Sequence, residues 1–389
     1  MKRKQKNKEK GNGQGTIYKS SRTGLYVGQY VIDYKRHSVY QRKNEKIGDF
    51  KKRFNDILSS INQGTHIEKS NEIFIEILKN HVEQKHHDGI TSDSGYLREL
   101  YIVSSIEKSC SNFINKPIQK VTINDIEKSK ACLREYAQTS IDKAWRLLNK
   151  TFKIGISRRK ILFNPMDDET LSKPISKKDK IKVEALTIPE ERRLRKILNT
   201  SERNHQYRNI ILLQLCTGMR IGEVLSRSKN DIDFKNHYLS IHNTLTKDEN
   251  GKVILGKHTK TYNKRTGIDS GKRLITINNE IEQILREQID SKVTNIYNLL
   301  FWDYKTNSFI SHYEINAYLK RINKKYNITK LNLSSHNLRH TYITRLREAG
   351  VDMKVIQHLV GHVEGSSITN DVYTSISKEF IEKELKKVK

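Results

Sequence analysis

The stretch NIILLQLCTGMRIGEVLSR, residues 209–227, constrains this 389-residue chain more than any other. Its aliphatic side chains are dense enough for a helix buried in a core. Gly218 and Gly222 interrupt it and permit a turn or a close approach of backbone. Between them stands Arg220. A guanidinium whose stem is buried is tolerable only where it meets an acid or a phosphate. Glu223, three residues on, is placed to orient it, and the plain alternative is a structural Arg–Glu pair.

Charge indicates which anion to look for. Lysine and arginine number 73 against 44 acids, a formal net charge of +29. Hydrophobic residues make up 35%, below the ~45–50% of ordinary globular chains. Such a charge repels itself unless a polyanion is nearby. Nucleic acid is the first candidate, because displaced counterions drive that binding; an acidic membrane surface is the second. No apolar run approaches the ~18 residues of a spanning helix. The N-terminal MKRKQKNKEKGNGQG lacks the apolar segment of a secretory signal. Cys110, Cys132 and Cys216 are odd in number, far apart and outside any CxxC. They are expected to be packing residues in a reducing cytosol. The abundance of lysine, asparagine and isoleucine points to a bacterium with an AT-rich genome.

Along the chain, residues 1–11 read as a basic disordered arm. Over 12–64, TIYK, LYVGQYVID and SVYQR alternate as strands separated by SSRTG and DYKRH. A helix follows with Phe54, Ile57, Leu58 and Ile61 on one face. The exposed face of this small sheet is expected to carry Lys19, Arg22, Lys35, Arg36 and Arg42, suited to a DNA groove or simply to solvent. Residues 65–175 read as a helical bundle. The polar, lysine-rich LSKPISKKDKIKVE places a linker over 176–186. A last domain, 187–389, opens with Thr187 and Glu190 in capping-box spacing. It continues with a small antiparallel sheet from YLSIHNTL, KVILGKHTKT and KRLITIN, then returns to helices. The expected class is a multidomain α+β protein.

LSSHNLRHTYITRLREAG holds the second charged cluster. Ser334 or Ser335 caps this helix, Gly350 ends it, and Leu338, Tyr342, Ile343 and Leu346 form its buried stripe. His336 and Arg339 share a face. His336 and His340 have two-histidine zinc spacing, but HNLRH lacks the glutamate of HExxH and sets a fixed cation beside the metal position. No metal site is expected. A third motif, HLVGHVEGSSITNDVYTSI, places His362 after a glycine and Tyr373 eleven residues later.

Taken in order, Arg220, HxxR at His336 and Arg339, GH at His362, and Tyr373 resemble the catalytic domain of the tyrosine recombinases, or phage-type integrases. The likeness covers about residues 185–380. More weakly, the bundle resembles the family's core-DNA-binding domain, and the N-terminal sheet resembles the arm-site-binding domain of integrases from conjugative transposons and temperate phages.

The resemblance implies Tyr373 as nucleophile, Arg220 and Arg339 as a phosphate clamp, His336 and His362 as their histidine partners, and Glu223 in support. It implies a hairpin lysine, best matched by Lys260 in TKT, although an unusually long segment keeps Lys257, Lys264 and Lys272 open. His340 is assigned to packing or a supporting hydrogen bond. The implied activity is metal-independent DNA cleavage through a 3′-phosphotyrosine, with no cofactor. The implied partners are double-stranded DNA at core and arm sites, four copies of the chain, and an excisionase or DNA-bending protein. The setting is cytoplasmic, on the nucleoid. A type IB topoisomerase is the alternative within this chemistry, and a non-catalytic architectural DNA-binding protein is the alternative outside it. The terminal SISKEFIEKELKKVK reads as an amphipathic helix that docks on a neighbour or on its own domain.

Overall fold

Alternating β-branched and aromatic residues build an antiparallel meander at the start of the chain. Its strands are β1 (Thr16–Lys19), β2 (Tyr26–Ile32) and β3 (Lys35–Tyr40). This is seen in a computed structural model that describes residues 15–32, 34–67, 70–179, 184–264, 266–291, 294–361 and 384–387. The second turn is tighter than expected. Tyr34 takes a left-handed φ of 62°, and Lys35–His37, expected in the turn, are already strand. Helix α1 (Ile47–Asn62) covers one face of the meander, its Phe54 ring lying over Gly28.

Register then decides which cations share the open face. Lys19 pairs with Tyr26 and Lys35 with Ile32, so both alternate onto the side that bears α1. They sit at its rim and are exposed. Arg36, paired with Val31, is on the open face. Arg22 lies in the first turn and Arg42 just past β3, both exposed. The open face is largely aromatic and polar: Tyr18, Val27 and Tyr40 form one cross-strand row, and Thr16, Gln29 and Ser38 the next.

The stretch read as a helical bundle holds α2 (Phe74–His87), α3 (Asp93–Ser109), α4 (Ile123–Leu133) and α5 (Gln138–Ser157). Phe74 centres its core, 5.4 Å from the Phe113 ring and 4.9 Å from that of Phe152. Cys110 is buried as expected, whereas Cys132 is exposed.

The chain divides into two compact units, Met1–Thr91 with Arg98–Lys180, and Ser92–Leu97 with Ile181–Lys389. The N-terminal sheet and the bundle both fall in the first. The expected linker is anchored at both ends. The Ser176 hydroxyl donates to the Tyr136 carbonyl at 2.6 Å, and the buried Leu186 donates its N–H to Thr341 Oγ1 at 2.9 Å.

In the second unit α6 (Ile188–Asn199) opens on the Thr187–Glu190 capping box. The apolar segment 209–227 is not one helix. It breaks into α7 (Arg208–Thr217) and the short α8 (Ile221–Leu225). The expected single sheet is two: β4 (Ile232–Asp233), β5 (Tyr238–Ile241) and β8 (Arg273–Thr276) in the order β4-β5-β8, and a separate hairpin of β6 (Leu245–Lys247) and β7 (Val253–Leu255). Helices α9 (Asn279–Asp290), α10 (His312–Tyr326), α11 (Ser335–Glu348) and α12 (Met353–Val360) complete it. One apolar core joins α7, β5, β8, α9, α10 and Leu338 of α11. Leu385 packs on the chain's own α11–α12 corner, where the Asp352 N–H donates to buried Glu384 at 2.9 Å. No helix among the described residues is long and apolar enough to cross a membrane.

Candidate active site

The break between α7 and α8 creates the first part of the site. Gly218 ends α7 at a left-handed φ of 62°, where a Cβ would lie 2.2 Å from the Tyr342 ring of α11. Arg220 then caps α8 in extended conformation. Glu223 is fully buried and folds back on it, accepting from the Arg220 backbone N–H at 3.0 Å and from Nη1 at 2.9 Å.

A second guanidinium, unforeseen from the sequence, reaches the same carboxylate. Arg273 opens β8 with its side chain almost wholly buried, and its Nη2 donates to Glu223 Oε2 at 2.7 Å. Its Nε donates to the Leu359 carbonyl at 2.7 Å and its Nη1 to that of Gly271 at 2.8 Å. Burial works hardest against the Glu223 charge, but the Arg273 cation and then that of Arg220 outweigh it and hold the carboxyl down to about 2. A signal for Arg273 was present. It shares the inward side of β8 with Ile275, and an inward arginine on an alternating strand requires an acid.

Arg339 comes from α11, 8% exposed. Its Nη1 donates to the Gly218 carbonyl at 2.8 Å and its Nη2 to that of Val360 at 2.7 Å. Arg220 Nη2 donates to the next carbonyl, Gly361, at 2.7 Å. The two arginines therefore meet at the C-terminal end of α12. Gly361 takes a φ of 60°, and a Cβ there would press on the Arg273 guanidinium at 2.6 Å. Burial first, then the Arg220 charge, works against the Arg339 cation. A guanidinium keeps its proton regardless, so the crowded pair is a standing demand for an anion. Each has five N–H donors; the bonds named use two on each side chain.

His336, on the exposed side of α11, belongs to the same cluster. Its pKa is lowered by partial burial first, then by Lys260, Arg339, His340 and Arg220. The largest charge effect on it is that of Lys260, while Lys272 acts on His242 instead. His312, at the start of α10, is likewise lowered by burial, Lys247 and His336. His340 is exposed beside them. Among the described residues no three histidine, cysteine or acidic side chains gather into a metal site.

The described cluster thus brings together Arg220, Glu223, His336, Arg339 and Lys260, and adds Arg273. His362 and Tyr373 lie outside the described residues. Lys19, Arg22, Lys35, Arg36 and Arg42 belong to the N-terminal sheet module of the first unit, and all are exposed. Arg220 and Arg273 bond the Glu223 carboxylate, Arg339 lies close to Arg220, and Lys260 acts on His336 beside them, a cluster of cationic donors suited to an anion.

Comparison with known proteins bears on what that anion is. The family model described as "Phage integrase family" matches residues 184–379, half of the chain. The prophage ps2 probable integrase of Lactococcus lactis subsp. lactis (strain IL1403) is 29% identical over 294 residues, 72% of this chain and 72% of that one. The transposase from transposon Tn916 of Enterococcus faecalis is 27% identical over 241 residues, 58% of this chain and little more than half, 56%, of that protein's length. Among solved structures, the Tn1549 transposon integrase in complex with transposon right end DNA superimposes with a TM-score of 0.63 at 20% identity, covering 82% of this chain and 99% of that one. The last is a likeness of fold.

Proposed function

The chain belongs to the phage integrase family, and on that premise we propose that it is a site-specific recombinase that integrates and excises a mobile element through a 3′-phosphotyrosyl intermediate. The observation that carries this is the convergence of Arg220 and Arg339 on the successive carbonyls of Gly361 and Val360, with His336 and Lys260 beside them.

In this reading Tyr373 Oη attacks the scissile phosphorus and its proton passes to neutral His336. The phosphorus–O5′ bond breaks as the new Oη–phosphorus bond forms, and the leaving O5′ takes a proton from Lys260 Nζ. Arg220 and Arg339 stabilise charge on the nonbridging oxygens, with His362 adding a hydrogen bond. Those donors supply the stabilisation that a metal would otherwise give. A 5′-hydroxyl from a partner duplex reverses the step, returning both protons and restoring the phosphodiester without ATP.

The rest of the chain fits supporting roles. The helical bundle grips core DNA, and the N-terminal sheet reads arm sites through Arg36, Tyr18 and Tyr40, flanked by exposed Lys19, Arg22, Lys35 and Arg42. Exchange between two duplexes calls for four protomers in cyclic arrangement. A separate excisionase or bending protein would set direction, and the work would take place on the nucleoid.

The test is incubation in EDTA with a nicked duplex carrying the element's end, followed by a denaturing gel. Wild type gives a covalent adduct and Tyr373→Phe gives none. Tight binding with no adduct, with and without a partner site, would favour the architectural reading.

A further inference from the structure

The segment between β7 and β8 is an added hairpin whose base is closed by one carboxylate. Asp269, with 3% of its side chain exposed, accepts from the Thr259 N–H at 2.8 Å through Oδ2 and from the Thr259 hydroxyl through Oδ1. Its Oδ1 also accepts from the Gly271 N–H at 3.3 Å. Thr259 is the residue before Lys260, and its hydroxyl lies 3.1 Å from that of Thr261, the residue after. The returning strand presses on this knot, since a Cβ on Gly271 would lie 2.0 Å from Thr259 Oγ1. Beyond it Tyr262 bridges to Asp269, and the His258 and Tyr262 rings stack at 3.7 Å. Lys260 therefore stands on a turn whose preceding residue is bonded to one buried acid and whose following residue meets that residue's hydroxyl. Gly271 leads directly into Arg273, which holds Glu223.

We propose that Asp269 is the positioning residue for Lys260: through Thr259 it fixes the turn that aims the lysine ammonium at the leaving 5′-oxygen. The inference rests on the reading of Lys260 as proton donor. A long exposed hairpin would otherwise leave a four-carbon side chain on a mobile base, and proton transfer depends on hydrogen-bond reach at the moment the bond breaks.

The test uses the full chain and two duplexes, one ordinary and one with the scissile 5′-bridging oxygen replaced by sulfur. A thiol with a pKa near ~8.5 leaves as thiolate and needs no proton. Single-turnover adduct formation is measured for wild type, Lys260→Ala, Asp269→Ala and Asp269→Asn, with DNA affinity alongside. General-acid loss costs ~10²–10⁴-fold. Lys260→Ala is expected to lose about that on ordinary DNA, and Asp269→Ala about a tenth as much or more, with affinity unchanged. Both defects vanish on the sulfur substrate, and Asp269→Asn, which keeps one acceptor for the Thr259 N–H, recovers much of the rate. Thr259→Ala removes only the hydroxyl contact and should show a smaller defect of the same sulfur-sensitive kind; it serves if Asp269→Ala fails to fold.

If Lys260→Ala is rescued by sulfur but Asp269→Ala and Thr259→Ala are equally slow on both substrates, the positioning role is overturned while the lysine reading stands. Wild-type rates for Asp269→Ala on ordinary DNA overturn it as well. If sulfur does not rescue Lys260→Ala, the lysine is not the proton donor, and the inference falls with that reading.

Discussion

Two sets of cations in this chain are suited to phosphate in opposite ways. Arg220, Arg273 and Arg339 are buried or nearly so, and each is held by named carbonyls or by Glu223. Lys19, Arg22, Lys35, Arg36 and Arg42 of the N-terminal sheet are all exposed. A buried cation is desolvated at a cost and is useful only where its position is fixed. An exposed one contributes affinity that salt screens and that any phosphate elicits. The difference separates chemistry on one phosphate from grip on many.

The largest effect should come from removing the carboxylate that holds the buried set together. Glu223→Gln leaves two guanidiniums uncompensated, a loss of about 3–5 kcal/mol, to be read by urea unfolding. Its folded pKa of about 2 lies below the ordinary 4.5. The depressed carboxyl therefore adds stability that is fully present above pH 4.5 and is lost as pH falls toward 2. Wild type should show that acid dependence, and Glu223→Gln should lack it.

Next, Arg220→Ala or Arg339→Ala should slow single-turnover adduct formation by ~10²–10³-fold while DNA affinity, measured by titration at fixed salt, hardly changes. A loss confined to affinity would put the buried set on the same footing as the exposed one.

A smaller effect concerns His336. Its lowered pKa keeps it neutral and able to accept a proton at neutral pH. The acid limb of adduct formation at subsaturating DNA should therefore fall below pH 6.5, and His336→Gln should remove that limb.

The smallest belongs to the sheet. Arg36→Ala should reduce the slope of log affinity against log salt by ~0.9 on arm-site DNA, and should leave cleavage of a duplex holding only the core site unchanged.

Much of the buried set was legible because its members recur at short spacing: Arg220 with Glu223, and His336 with Arg339. Arg273 was legible only in part: its inward place on β8 calls for an acid, but that acid lies 50 residues away and sequence spacing does not say which one it is. Lys35 reads as an open-face residue only while the turn spans DYKRH, and Lys19 only while the β1–β2 register is unknown; its pairing with Tyr26 puts it on the other face. The left-handed Tyr34 shortens that turn, and strand parity then decides the face. The apolar segment 209–227 looked continuous because hydrophobicity does not reveal a helix end. Gly218 and Gly222 both mark a possible break, and the helix ends at Gly218, where the Tyr342 ring packs against it.

The central claim is that the buried arginines act on the charge of the scissile phosphate. The most direct measurement replaces that phosphate with a methylphosphonate, which lacks one charged oxygen, and compares single-turnover cleavage by wild type, Arg220→Ala and Arg339→Ala. The account predicts that most of the penalty seen with ordinary DNA disappears for at least one of the two variants. An equal penalty on both substrates would contradict it and reduce the two arginines to struts of the fold.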